Sequence, residues 1–203
     1  MGLLTACGLE VDEPIIEEPT LACAQSCNGC CSGESCIADG SQLNACGSKG
    51  VKCAVCKGTT SCRENAAKEM NCVLDSDALW QVRAVSAQVT NQTSTGFDWD
   101  PGGSPPDVIA ELVCPPLTAP TVIKTSEVES FTPQWTGLPC TTTSDALFKE
   151  PISIKLIDVD FDFNDDIASA SYRVAQQDFE AGQIVIPLSD QKSTVTLQLI
   201  RKQ

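Results

Sequence analysis

Ten of the thirteen cysteines fall between Cys23 and Cys72. So short a stretch, with few apolar residues, cannot bury a core of its own, so covalent cross-links must supply its order. A spacing recurs inside it. Cys27, Cys30, Cys36 and Cys46 follow C-x2-C-x5-C-x9-C, and Cys53, Cys56, Cys62 and Cys72 follow the same pattern. We read this as a duplicated unit, with Cys23 and Cys31 left over and able to pair with each other. Cysteine density of this kind belongs to an oxidising compartment. Two other chemistries share these residues. Cys27-x2-Cys30 and Cys53-x2-Cys56 have the ligand spacing of all-thiolate zinc sites, and C-x-x-C also serves thiol redox chemistry. The Cys30-Cys31 doublet and the crowding of cysteines favour disulfides.

Charge narrows the function. The chain carries 27 acidic and 13 basic residues, a formal net charge of −14, and no histidine. Phosphate binding needs clustered Lys and Arg, so no nucleic-acid partner is expected. Without histidine there is no Ser-His-Asp triad, Cys-His dyad or imidazole-ligated zinc. No residue pattern looks catalytic, and the expectation is a protein that is not an enzyme; paired-carboxylate glycosidase chemistry is the one enzymatic alternative left open. No apolar run reaches transmembrane length.

At the N-terminus, Leu4-Thr5-Ala6-Cys7 resembles the lipobox of bacterial lipoproteins. The resemblance implies lipidation of Cys7, membrane anchoring through it, and a place in the cell envelope, at the outer membrane or outside the cell. Only six residues precede Cys7, too few for a signal peptide, so the start codon is expected upstream. Parity agrees: without Cys7, twelve cysteines remain, an even number. Residues 8–22 are acidic, contain Pro14 and Pro19, and read as an extended tether. The organisation expected is therefore 1–22 signal remnant and tether, 23–74 cysteine-rich module, and 75–203 a larger domain.

That larger domain reads as all-β. Short β-branched runs at Trp80–Val89, Val108–Val113, Thr121–Thr125, Ile152–Ile157, Ser171–Ala175, Gln183–Leu188 and Thr194–Arg201 alternate with Pro- and Gly-rich punctuation, the pattern of a sandwich or barrel. Cys114 and Cys140 are read as a further disulfide, the alternative being two buried thiols.

Its most unusual stretch is Ile152–Ile167. After a clean alternation of Ile152, Ile154 and Leu156 come five aspartates in nine residues: Asp158, Asp160, Asp162, Asp165 and Asp166. Such carboxylates repel one another unless they are solvated or share a hard cation. Calcium suits them because it accepts six to eight oxygens in a flexible geometry. An EF-hand does not fit, because the positions that need Gly and Glu hold Phe163 and Ser169.

Three segments together resemble the C2 domain over about residues 77–203. They are Trp99-Asp100-Pro101-Gly102-Gly103-Ser104-Pro105-Pro106-Asp107-Val108, then Lys124-Thr125 with Pro133-Gln134-Trp135, then Asp158-Val159-Asp160 with Asn164-Asp165-Asp166-Ile167. The resemblance implies an eight-stranded antiparallel β-sandwich with calcium ligands at Asp100, Asp107, Asp158, Asp160 and Asp165. Asp166 is an alternative to Asp165, because the spacing from Asp160 is one residue short of the family's. Ala168 stands where the family has glycine. Phe97, Trp99, Phe161 and Phe163 flank these loops. They are candidates for contact with a membrane once an ion cancels the local charge, or for inward packing that fixes the loops. Lys155, Arg173, Lys192, Arg201 and Lys202 are the local candidates for a headgroup patch. The function expected is calcium-dependent binding of phospholipid or a surface ligand by a lipid-anchored envelope protein; the alternative is a structural or adhesive module that calcium merely stabilises.

Overall fold

The computed structural model describes residues 21–100, 102–161 and 163–202. Cys7, residues 8–20 of the expected tether and Asp162 lie outside the described residues; the last two tether residues, Leu21 and Ala22, are helical and not extended. The chain divides into two units. One comprises the described residues up to Cys56 together with Cys62–Cys72; the other comprises Lys57–Ser61 and the chain from Val73 onward.

The first unit has a short helix, Leu21–Ser26, and two small hairpins, Cys30–Ser32 with Ser35–Ile37 and Ser41–Gln42 with Ala45–Cys46. Five disulfides hold it: Cys23–Cys31, Cys27–Cys36, Cys30–Cys53, Cys46–Cys62 and Cys56–Cys72. The repeated spacing is therefore not repeated pairing. Cys30–Cys53 and Cys46–Cys62 cross from one repeat to the other. Backbone hydrogen bonds explain the crossing. Cys53 N donates to Cys31 O, and Cys46 and Ala54 exchange N–H to O bonds at 2.8 Å. The second repeat is thus laid along the strands of the first, which brings its leading cysteine to Cys30. Close sulfur sets do occur, Cys23 with Cys27 and Cys31, and Cys46 with Cys56 and Cys62. Each of these sulfurs is disulfide-bonded, which leaves no thiolate among them for zinc.

The second unit is a β-sandwich. Its strands are β1 (Leu79–Gln88), β2 (Asp107–Cys114), β3 (Thr121–Lys124), β4 (Val128–Glu129), β5 (Cys140–Thr143), β6 (Ile152–Asp158), β7 (Asp165–Tyr172), β8 (Gln183–Pro187) and β9 (Thr194–Arg201). One sheet runs β4-β2-β6-β7, with β3 also on β2; the other runs β5-β1-β9-β8. All pairings are antiparallel. Because β3 and β4 both pair with β2 at different heights, the nine segments fill eight strand positions.

Alternation decides which side chains meet between the sheets. Val108, Ala110, Leu112 and Cys114 of β2 face Trp80, Val82 and Ala84 of β1 and Val195, Leu197 and Leu199 of β9 in a single core. Burial of this apolar area is the main force holding the sheets together. The Cys114–Cys140 disulfide joins β2 of one sheet to β5 of the other, with both residues buried.

Two local expectations are corrected. The strand expected at Ser171–Ala175 is instead β7, Asp165–Tyr172. Ala168 and Ala170 alternate with Ser169 and Ser171, but side chains so small give only a faint apolar signal; pairing with β6 along its whole length draws them into the sheet. Two six-residue helices, α1 (Ser144–Lys149) and α2 (Gln176–Ala181), also form. The hydroxyl of Thr143 caps α1 by accepting from Ala146 N at 3.2 Å. Asp178 of α2 accepts from Ala175 N and from the Tyr172 hydroxyl, while Phe179 packs edge-on against Trp80, with ring centroids 4.7 Å apart.

Candidate metal centre at one end of the sandwich

The inward face of β6 explains the site. Ile152, Ile154 and Leu156 point into the core, and the same period-2 alternation carries Asp158 to the buried side at the strand's end. Asp158 is only 1% exposed. Its Oδ1 accepts a hydrogen bond from Asp107 N at 2.8 Å. Asp107 opens β2, and its carbonyl in turn accepts from Val159 N at 2.9 Å. The first and third acidic segments are therefore stitched together by backbone hydrogen bonds, although 51 residues separate Asp107 from Asp158.

The loop before β2 brings the next carboxylate. The indole N–H of Trp99 donates to Thr90 O at 2.7 Å, which anchors the chain just ahead of Asp100. Gly103 N donates to Asp100 O, closing a turn in which Gly102 and Gly103 have φ of 88° and 78°. That left-handed backbone is open to glycine at no steric cost. Asp100 lies close enough to Asp160 and Asp107 to feel both charges. Burial first, then those neighbours, raises its carboxyl above the ordinary 3.8. Asp158 is pushed up to about 6, chiefly by burial and further by the charges of Asp160, Asp100 and Asp107, against the opposing Asp107 amide.

Asp100, Asp107, Asp158 and Asp160 thus gather at one end of the sandwich. Asp165 pairs with Asp158 across β6 and β7, is exposed, and lines with Asp160, Phe161 and Phe163 a shallow depression of about 370 Å³. Asp166 turns elsewhere: its carboxylate meets Lys155 Nζ at 2.6 Å. Among the described residues, no three of these carboxylates have oxygens within 4.8 Å of one another. A cation fits this donor set on one specific observation. Asp158 Oδ2 is buried and has no hydrogen-bond partner among the described residues, a state that carries a desolvation penalty unless a ligand satisfies it.

The aromatic expectation divides. Phe97, Phe161 and Phe163 are 73%, 103% and 82% exposed. Trp99 is not one of this exposed set: its ring packs against the core and its N–H is held by Thr90. Three of the five basic candidates are engaged within the sandwich. Lys155 pairs with Asp166, Arg173 donates to Phe148 O, and Arg201 is held by Gly58 O, Thr60 O, the Ser61 hydroxyl and Asp75. Of the other resemblance residues, Lys124 pairs with Glu111 at 2.9 Å and the Thr125 hydroxyl accepts from Ala110 N; both are structural contacts. The anchoring of Trp99 on a backbone carbonyl and the ion pair of Asp166 were not foreseen from sequence, since neither leaves a pattern in the residue types.

No protein-family profile matches the chain, and no curated protein matches it. Among solved structures, a two-C2-domain piece of Extended-Synaptotagmin 2 matches with TM-score 0.47 and 15% identity, over 62% of this chain and 42% of that one. A structure described only as a C2 domain matches with TM-score 0.42 and 12% identity, over 62% of this chain and 99% of that one. A C2 domain of plant Extended Synaptotagmin 1 gives 0.45 and 12%, over 62% and 94%. At such values the likeness places no ligand in this chain. The structure itself defines the class: an all-β, two-sheet sandwich with a carboxylate-lined end, accompanied by a small disulfide-rich unit.

Proposed function

We propose that the acidic end of the sandwich binds calcium and that the protein uses the ion to engage phospholipid or a surface ligand, without catalysing a reaction. The observation that carries the reading is the buried, unpartnered Asp158 Oδ2 beside Asp100, Asp107 and Asp160. These four, with Asp165 at the rim, supply enough hard oxygen donors for calcium. A bound ion would offset the mutual repulsion of these carboxylates and would satisfy the orphaned oxygen. Exposed Phe97, Phe161 and Phe163 around the same end support an apolar contact made once that charge is cancelled. Anchoring through a lipidated Cys7 in the cell envelope is part of this proposal; it would hold the domain beside a membrane at high local concentration.

The test is co-sedimentation with anionic liposomes in calcium and in chelator, for the wild type and Asp158→Asn. Calcium-dependent pelleting that the substitution abolishes supports the proposal. A calcium-induced rise in melting temperature without pelleting would instead identify a structural or adhesive module that the ion only stabilises.

A further inference from the structure

The loop that carries Trp99 does more than place Asp100. Trp99 lines two adjoining depressions of about 170 and 220 Å³. Together they fall near the lower end of the range for small-molecule sites, roughly 300–1,000 Å³. Thr93, Ser94 and Ile167 line both; Gln92 and Lys192 border the first. The indole is not free to swing, because its N–H is bonded to Thr90 O and its inner side rests on the core. It is thus a pre-positioned aromatic surface among hydroxyls and an amide. Among the described residues, the side chains of Gln92, Ser94 and Lys192 make no hydrogen bond or ion pair within the protein, so their donors and acceptors are available to a ligand.

The chemistry selects the ligand class. One fixed aromatic ring with few aliphatic neighbours suits a flat, weakly apolar face, and the surrounding polar groups suit a dense array of hydroxyls. A polyanion is disfavoured: Lys192 is the lone cation of the two depressions, which Asp165, Asp166 and Asp190 also line. We infer that this pocket binds a neutral sugar ring, Trp99 stacking on its face and Gln92, Ser94 and Lys192 hydrogen-bonding its hydroxyls. Of the proposed ion ligands, Asp100, Asp107, Asp158 and Asp160 do not line these depressions; Asp165 borders the second, but the residues assigned to the sugar are not among the ion ligands.

Saturation-transfer NMR on the full chain, with N-acetyl-D-glucosamine, D-galactose and D-mannose as probes and D-glucuronate as the charged control, tests it. At least one neutral sugar should receive saturation, and D-glucuronate should receive less. Gln92→Ala and Lys192→Ala, both surface changes, should each weaken binding by about three- to tenfold, the loss of one or two hydrogen bonds. Trp99→Ala should abolish it, with circular dichroism confirming the fold; if that variant unfolds, the two surface variants decide. Acrylamide quenching gives a second readout. Trp80 and Trp135 are buried, so quenching reports Trp99, and the bound sugar should reduce it. No saturation of any neutral sugar, or binding unchanged in both surface variants, would overturn the inference.

Discussion

The backbone amide of Asp107 donates to the carboxylate of Asp158 at 2.8 Å, so the first residue of one strand holds the last residue of its neighbour. The bond uses Oδ1 and leaves Oδ2 buried without a partner. One oxygen of this carboxylate is therefore satisfied by the fold, and the other is not satisfied by any described residue.

Replacing Asp158 with Asn keeps an acceptor for the Asp107 amide while removing the buried charge. The calcium-free variant should gain about 1–2 kcal/mol of stability, or about 2–8 °C in a domain of this size. It should also lose any rise in melting temperature on adding calcium. Differential scanning calorimetry with calcium and with chelator measures both. A calcium response equal to that of the wild type would remove Asp158 from the ligand set.

The pH dependence of the ion-free protein follows from the same group. Folded Asp158 titrates near 6 against 3.8 for an ordinary aspartate, so between those values the folded chain binds more protons than the unfolded one. Stability contributed by this group therefore falls as pH rises from about 4 through 6. Asp100 is shifted in the same direction. Asp190 is shifted the other way: burial would raise it, but the hydroxyl and amide of Ser193 and the amide of Lys192 outweigh that. Its stabilisation is present above 3.8 and is lost only as pH falls below that. Melting in chelator should thus be higher at about pH 5 than at about pH 7. Calcium, competing with the proton, should reverse the order.

Phe161→Ser and Phe163→Ser separate ion binding from membrane contact. Both side chains are exposed, so the fold and the calcium-induced shift in melting temperature should be unchanged. Liposome partitioning should drop by about tenfold or more for each, the loss of one buried aromatic side chain. Unchanged pelleting in the double variant would exclude these residues from the contact.

The inter-sheet disulfide has a predictable worth. Cys114 and Cys140 enclose a loop with a sequence separation of 26, for which chain-entropy estimates give about 3–4 kcal/mol. The double alanine variant should lose about that much in urea unfolding. Thiol titration of the unfolded, unreduced wild type should find none of the twelve cysteines from Cys23 to Cys140 reactive.

Where a side chain's job followed from periodicity, the sequence was a sufficient guide. The alternation Ile152, Ile154, Leu156 marked the strand; that it runs on to Asp158 and buries that carboxylate on the core side is what the structure adds. Thr194–Arg201 was legible for the same reason. β7 was not, because the alternation of Ala168 and Ala170 with Ser169 and Ser171 is carried by side chains too small to stand out; its partner strand, remote in neither space nor sequence, imposes the extended form. The two helices escaped notice because six residues show less than two turns of period, and they depend on the Thr143 and Asp178 caps. Trp99 looked like its neighbour Phe97 in sequence. Trp99 packs against the core and its indole N–H, a donor Phe97 lacks, finds Thr90 O; the position of that backbone acceptor leaves no mark in the residue types.

The crossing of Cys30–Cys53 and Cys46–Cys62 from one repeat to the other has a practical meaning for resistance to proteolysis. A protease that nicks the backbone between the repeats, for instance after exposed Lys49, severs the peptide but releases nothing, since two covalent straps still bind the fragments. The module survives or is lost as one piece, and only a reductant together with a cut can detach its first repeat from the remainder of the chain.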